Sequence, residues 1–143
     1  MTTAEQLTQV FYNNFAAYYR SHAAHVNVTG RTFRSDHKLL GGVYERRQAE
    51  IDKIAEILRT MQEFMPASLT DIVDNSTIPM DAIEGSADEL LEAVMMDLEH
   101  LLIDFKELIV IASDEGLEEV SNYAQDQALD LEKSIWMLRS TLE

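Results

Sequence analysis

The chain is 143 residues long, enough to bury one core without covalent staples, and it contains no cysteine, which excludes disulfides and thiolate metal sites. Its net charge of −15 is uneven: residues 1–65 hold eight Lys/Arg against seven Asp/Glu, and the rest holds three against nineteen, a surface that repels nucleic acid and attracts cations. The opening MTTAEQLT has no basic or apolar leader pattern, and no apolar run approaches the roughly 20 residues of a membrane span, so the expectation is a soluble, cytoplasmic protein with no membrane partner.

Two prolines and five glycines divide the chain into a few long pieces. A capping box at Thr3-Ala4-Glu5-Gln6 opens a first helix, whose stripe of Leu7, Phe11, Phe15, Tyr18, His22 and His25 ends at Val28-Thr29-Gly30. A second helix starts near Thr32, carries Phe33, His37, Leu40, Tyr44, Ile51, Ala55 and Leu58, and stops before Pro66. The connection from Pro66 to Gly85 is the only long one, with room for a short helix over Ser68–Val73. A second capping box, Ser86 to Glu89, opens a third helix with Leu91, Val94, Leu98, Leu101, Phe105, Leu108 and Ala112 on its stripe. A tight corner at Asp114-Glu115-Gly116 leads into the fourth, with Leu117, Val120, Ala124, Leu131, Ile135, Leu138 and Leu142.

The fold class is therefore all-α, a single domain over residues 1–143. Its four helices of about 26 to 32 residues span roughly 40–48 Å each. Two tight corners and one long crossover between the second and third helices give the connectivity of a ferritin-like four-helix bundle. Ile103, Val110, Ile111, Leu129 and Trp136 fall off the core stripes, which points to contacts between subunits.

Three of the four histidines, His22, His25 and His37, fall within sixteen residues. Imidazoles on apolar stripes are commonly core residues, but Asp52 and Glu56 project from one helix face at i, i+4 and make metal ligation worth weighing. Solvated ion pairing of Asp52 with Lys53 and of Glu56 with Arg59 is the plainer alternative. His37 and Asp52 are fifteen residues apart on one helix, about 22 Å along its axis, too far to share a metal within one chain. Two copies of the second helix packed antiparallel about a twofold axis near residue 44 would bring His37 of one copy to Asp52 and Glu56 of the other, giving two equivalent sites. Gly41-Gly42 sits beside that crossing, where either close backbone approach or a kink would account for it.

The run His25-Val26-Asn27-Val28-Thr29-Gly30, followed by Phe33, His37 and the Asp52…Glu56 pair, resembles the Dps family of mini-ferritins, whose pattern reads His-Trp-Asn-Val-x-Gly…Phe…His…Asp…Asp-x-x-x-Glu. The stretch Glu132 to Arg139 is similar to that family's closing helix, and the likeness spans nearly the whole chain. The resemblance implies a hollow homododecamer built from twofold dimers that oxidises Fe(II), preferably with hydrogen peroxide, and stores ferric mineral inside. It places a ferroxidase centre between twofold-related subunits, with His25 and His37 from one chain and Asp52 and Glu56 from its partner as iron ligands and catalytic residues. Protection from oxidative damage is the implied role. Glu118, Glu119 and Asn122 match the family's threefold pore, where acidic residues would concentrate cations; charges favouring a helix N-terminus are the plainer reading of each.

Three departures bear on function. Gly41 stands where the family carries an aspartate ligand, so the second iron position is expected to be weak or differently built, with Glu45 or water as substitutes. Val26 replaces the family's tryptophan beside the first histidine, leaving Tyr44 as a candidate for any radical-trapping task. No lysine-rich tail is present, and the charge argues against direct DNA binding. His22 fits no ferroxidase position; an accessory metal with His25 or a packing role are its two readings. Asp97-x-x-His100 is half of an intra-bundle di-iron motif, and no second acid-x-x-His completes it. Two alternatives stand beside the ferroxidase cage: a Dps-like cage with weak metal binding and little or no ferroxidase activity because of Gly41, and a helical interaction module whose histidines are structural.

Overall fold

The computed structural model describes residues 1–143 as five helices and no strand: α1 (Thr3–Asn27), α2 (Phe33–Thr60), the short α3 (Leu69–Asn75), α4 (Ala87–Asp114) and α5 (Glu118–Leu142). The capping box that opens α1 is one residue earlier than expected. Thr2 Oγ1 accepts from Glu5 N–H and the Glu5 carboxylate accepts from Thr2 N–H, each at 3.1 Å. Thr3 is buried instead, and both its N–H and its hydroxyl donate to Glu115 at the α4–α5 corner, ties that hold the Glu115 carboxyl below its ordinary range. The Ser86–Glu89 box that opens α4 forms as expected.

α4 and α2 close with the same hydrogen-bond pattern. After α4, Gly116 N–H donates to Ser113 O and Leu117 N–H to Ala112 O, with Gly116 at φ 77°. After α2, Gln62 N–H donates to Arg59 O and Glu63 N–H to Leu58 O, and the left-handed position at φ 65° is taken by Gln62. This motif satisfies the last free carbonyls of a helix, so α2 stops several residues short of Pro66. A side chain tolerates that conformation at a cost of about 1–2 kcal/mol, which is why no glycine marked the end in the sequence.

α1 packs along α2 on one side and α4 on the other, and α4 along α5. The α4 stripe is buried throughout. On α2 the buried face is Leu40, Val43, Arg47, Ile54 and Leu58, while His37, Tyr44 and Ile51 are half-buried on its flank and Phe33 is exposed. Arg47 is 1% exposed: its guanidinium donates to Asn14 Oδ1, to Gln127 Oε1 and to Asp130 Oδ2, joining α2 to α1 and α5. Burial pushes its pKa down, and Asp130, Tyr123 and Glu50 oppose that. Beside it the Tyr123 hydroxyl donates to Glu50 at 2.6 Å; burial and that carboxylate hold the phenol far above its usual pKa.

Candidate metal centre

The α1–α2 corner brings His25 and His37 face to face, with ring centroids 3.8 Å apart and planes 15° from parallel. Their hydrogen bonds are reciprocal: His25 Nδ1 meets His37 O at 2.6 Å, and His37 Nδ1 meets His25 O at 2.7 Å. A carbonyl only accepts, so each Nδ1 carries a proton, and in the neutral ring Nε2 is then the nitrogen with the lone pair. Backbone carbonyls that fix the tautomer and orientation of an imidazole are the usual outer support of a metal-ligating histidine. The pair thus holds two imidazole rings in set orientations.

Gly41 touches this pair directly. A Cβ built at Gly41 would stand 2.9 Å from His25 Cε1 and 3.1 Å from Nδ1, whereas one at Gly42 would meet nothing. The two glycines therefore differ: Gly41 makes room for a ring of its own chain, and Gly42 borders an open groove between α2 and α5. His22 lies on Tyr44 with centroids 4.0 Å apart and planes 1° from parallel, and Tyr44 leans on His25 at 4.9 Å.

Asp52 and Glu56 are both exposed and lie close enough to interact. Glu56 is raised above its ordinary pKa, first by the hydrogen bond it shares with Asp52 and then by the charge of that carboxylate. Neither makes an ion pair with a cationic side chain; Lys53 sits 5.4 Å from the Tyr123 ring centroid, and Arg59 lies over Phe64 at 4.1 Å and donates to Glu63 O. The plain ion-pair reading of these two acids does not hold in this structure.

Within one chain the histidine pair and the carboxylate pair stay apart, and no three His, Asp or Glu side chains converge. The separation follows from their places near opposite ends of α2. Elsewhere, Asp97 receives Arg20 Nε at 2.6 Å, tying α4 to α1, and His100 Nε2 lies 2.7 Å from the Thr77 hydroxyl of the long connection, so both residues are engaged within the fold. At the start of α5, Glu118 accepts from Ser113 Oγ at 2.9 Å, while Glu119 and Asn122 are exposed along one edge of a groove between α2 and α5 that also holds Lys53 and Asp126.

A ferritin-like domain model matches residues 4–143. Over 121 residues the chain is 30% identical to DNA protection during starvation protein 2 of Bacillus anthracis, a match that covers 85% of this chain and 83% of that one. The chain belongs to the Dps family. Another relative, the DNA protection during starvation protein of Helicobacter pylori, is 28% identical over 143 residues, 99% of each chain. The crystal structure of Helicobacter cinaedi CAIP superposes with a TM-score of 0.92 at 30% identity, covering 99% of this chain and 100% of that one. The likeness thus runs over nearly the whole chain. At Gly41, where the resemblance implies a carboxylate ligand, a Cβ would meet the His25 ring.

Proposed function

We propose that this Dps-family chain oxidises Fe(II) at a centre shared between two copies and stores the ferric product inside a closed homododecamer. His25 and His37 of one copy, with Asp52 and Glu56 of the other, hold the substrate iron. The observation that carries this reading is the reciprocal histidine clip: both Nδ1 protons point at backbone carbonyls, so both Nε2 atoms are free to ligate. The carboxylate pair without a cationic partner supplies the complementary half. An antiparallel crossing of two α2 helices near residue 44 unites the halves.

The donor set explains the direction of the chemistry. Carboxylate oxygens are hard anions and stabilise Fe(III) more than Fe(II), while neutral imidazoles add nitrogen donors without adding charge. Each Fe(II) gives up one electron; one hydrogen peroxide takes two electrons and two protons and leaves as two waters. Peroxide is thereby consumed without releasing hydroxyl radical, which protects the cell interior. Iron enters past Glu119 and Asn122, with Glu118 nearby, where the acidic C-terminal half concentrates cations. The same charge opposes direct contact with DNA, and no helix is long and apolar enough to cross a membrane. A cytoplasmic protein fits both facts.

The test is the iron retained per particle after anaerobic Fe(II) loading, peroxide addition and gel filtration. Many irons co-eluting with a large particle, and loss of rapid oxidation in His25→Ala/Asp52→Ala, are expected. Unchanged oxidation in that double variant would sink the assignment of the centre. A second reading, a cage that binds metal weakly and oxidises little, is favoured by one observation: the space at Gly41 is filled by His25 and not by a ligand carboxylate. A large particle that binds Fe(II) but leaves it unoxidised would select it.

A further inference from the structure

The His25 ring is held by more than the clip. One of its faces lies on His37, Tyr44 leans against it at 45° with centroids 4.9 Å apart, and its Cε1 edge fills the volume that a side chain at position 41 would need. Tyr44 is in turn backed by His22, ring on ring and parallel within 1°. Neither the His22 ring nor the Tyr44 hydroxyl makes a hydrogen bond in the bundle, so what each contributes is its flat face. The four rings come from two helices that meet at one corner, and they form a continuous pile: His22, Tyr44, His25, His37. Nothing of this pile is built from residues that contact the carboxylate pair.

We propose that Gly41, Tyr44 and His22 are positioning residues that seat the His25 imidazole for metal binding. Gly41 supplies the vacancy, Tyr44 closes it from the side, and His22 braces Tyr44. Gly41 is therefore more than a lost ligand: it is the condition for the placement of the ligand that remains. Restoring a carboxylate by Gly41→Asp would not rebuild a second iron position, because its Cβ already collides with the His25 ring. The inference rests on the reading of His25 as a metal donor and deepens it.

A purely structural role predicts something different, which makes the idea testable. Gly41 is in the middle of α2, where alanine favours the helical backbone. If the pile is only packing, Gly41→Ala should leave metal binding alone whatever it does to stability. The probe is Co(II), titrated anaerobically into the assembled protein, with the visible d–d spectrum and the bound stoichiometry as readouts. Helicity and particle size are measured alongside. Gly41→Ala and Tyr44→Leu are each expected to weaken Co(II) binding by roughly 10–100-fold, the range for residues that orient a ligand, and to change the spectrum. Tyr44→Phe keeps the face and should restore wild-type behaviour, and His22→Ala should move both readouts in the same direction as Tyr44→Leu.

Tyr44 lies near the level of the proposed twofold crossing, so Tyr44→Leu could also disturb assembly. In that event Gly41→Ala decides alone, and its crystal structure should show the His25 ring displaced from His37 O. Wild-type affinity and spectrum in Gly41→Ala would overturn the proposal. Absence of Co(II) binding by the wild-type protein itself would instead overturn the metal centre, and the two failures are distinct.

Discussion

Two carboxylates one turn apart on an exposed helix face repel, and Asp52 and Glu56 pay no part of that cost back through an ion pair. The proton affinity of Glu56 is raised because its protonated form donates to Asp52 and relieves the repulsion. A metal does the same, so proton and metal compete. The sign follows: acidification should weaken Co(II) binding at a pH above the ordinary glutamate range, and Asp52→Asn should move that loss downward. Glu56→Gln should lower Co(II) affinity while leaving the thermal midpoint unchanged or higher, since it removes repulsion along with the ligand. A Glu56→Gln protein that bound Co(II) like the wild type would remove the carboxylate pair from the site. At this scale the sequence carried the spacing of His25, His37, Asp52 and Glu56, because helical rise converts residue count into distance. It did not carry the meaning of Gly41 or of His22. Gly41 is explained by a ring from another helix, and His22 by a tyrosine, and neither relation has a sequence separation that marks it.

Elements were legible wherever apolar residues recur with the helical period, and α4 is the clearest case. Periodicity misjudged α2 because it weights apolar side chains alone. The largest fully buried side chain is Arg47, and Asn13, Asn14 and Asp36 are also inside. The long connection is fixed by the same kind of polar contact. Arg20 on α1 donates to Asp97 on α4 and to the Asp81 carbonyl of the connection, and Asn13 binds Thr77 and Asp104. Burial raises the Asp97 carboxyl above its usual pKa, and the Arg20 hydrogen bond and charge pull it back only in part. A carboxyl raised in the folded state favours folding below its unfolded pKa, and this contribution is lost as pH rises through the folded value. Arg20→Met removes the compensating charge and should raise Asp97 further. The expected loss at pH 7 is about 3–5 kcal/mol, the usual result of stranding one member of a buried pair. It should shrink on acidification, as Asp97 becomes protonated and cheaper to bury. Urea midpoints at pH 7 and pH 5, at one protein concentration, check this; an equal loss at both would show that Asp97 does not titrate in that window.

The whole molecule leaves apolar surface that a lone bundle has no use for. Met96, Ile103 and Val110 recur every seven residues on α4, and Leu129 and Trp136 do so on α5, all at 55% exposure or more. Seven residues are close to two helical turns, so each set forms a stripe along one helix face. Stripes of this length on a chain of charge −15 set two opposing terms for assembly: apolar burial draws copies together, and like charge drives them apart. Salt screens only the second, because the Debye length falls to about 10 Å at 0.1 M. The proposed cage should therefore be more stable at moderate salt than at very low salt. Leu129→Glu alters both terms in the same direction, replacing a 71%-exposed apolar side chain with another negative charge. The core does not use Leu129, so circular dichroism should match the wild type while gel filtration moves from the large particle towards smaller species, most strongly at low salt. If the variant stays fully assembled at every salt concentration, the α5 stripe lies outside the contacts between copies, and the apolar contribution has to come from α4. If helicity falls together with particle size, Leu129 serves the bundle itself and not the contacts between copies.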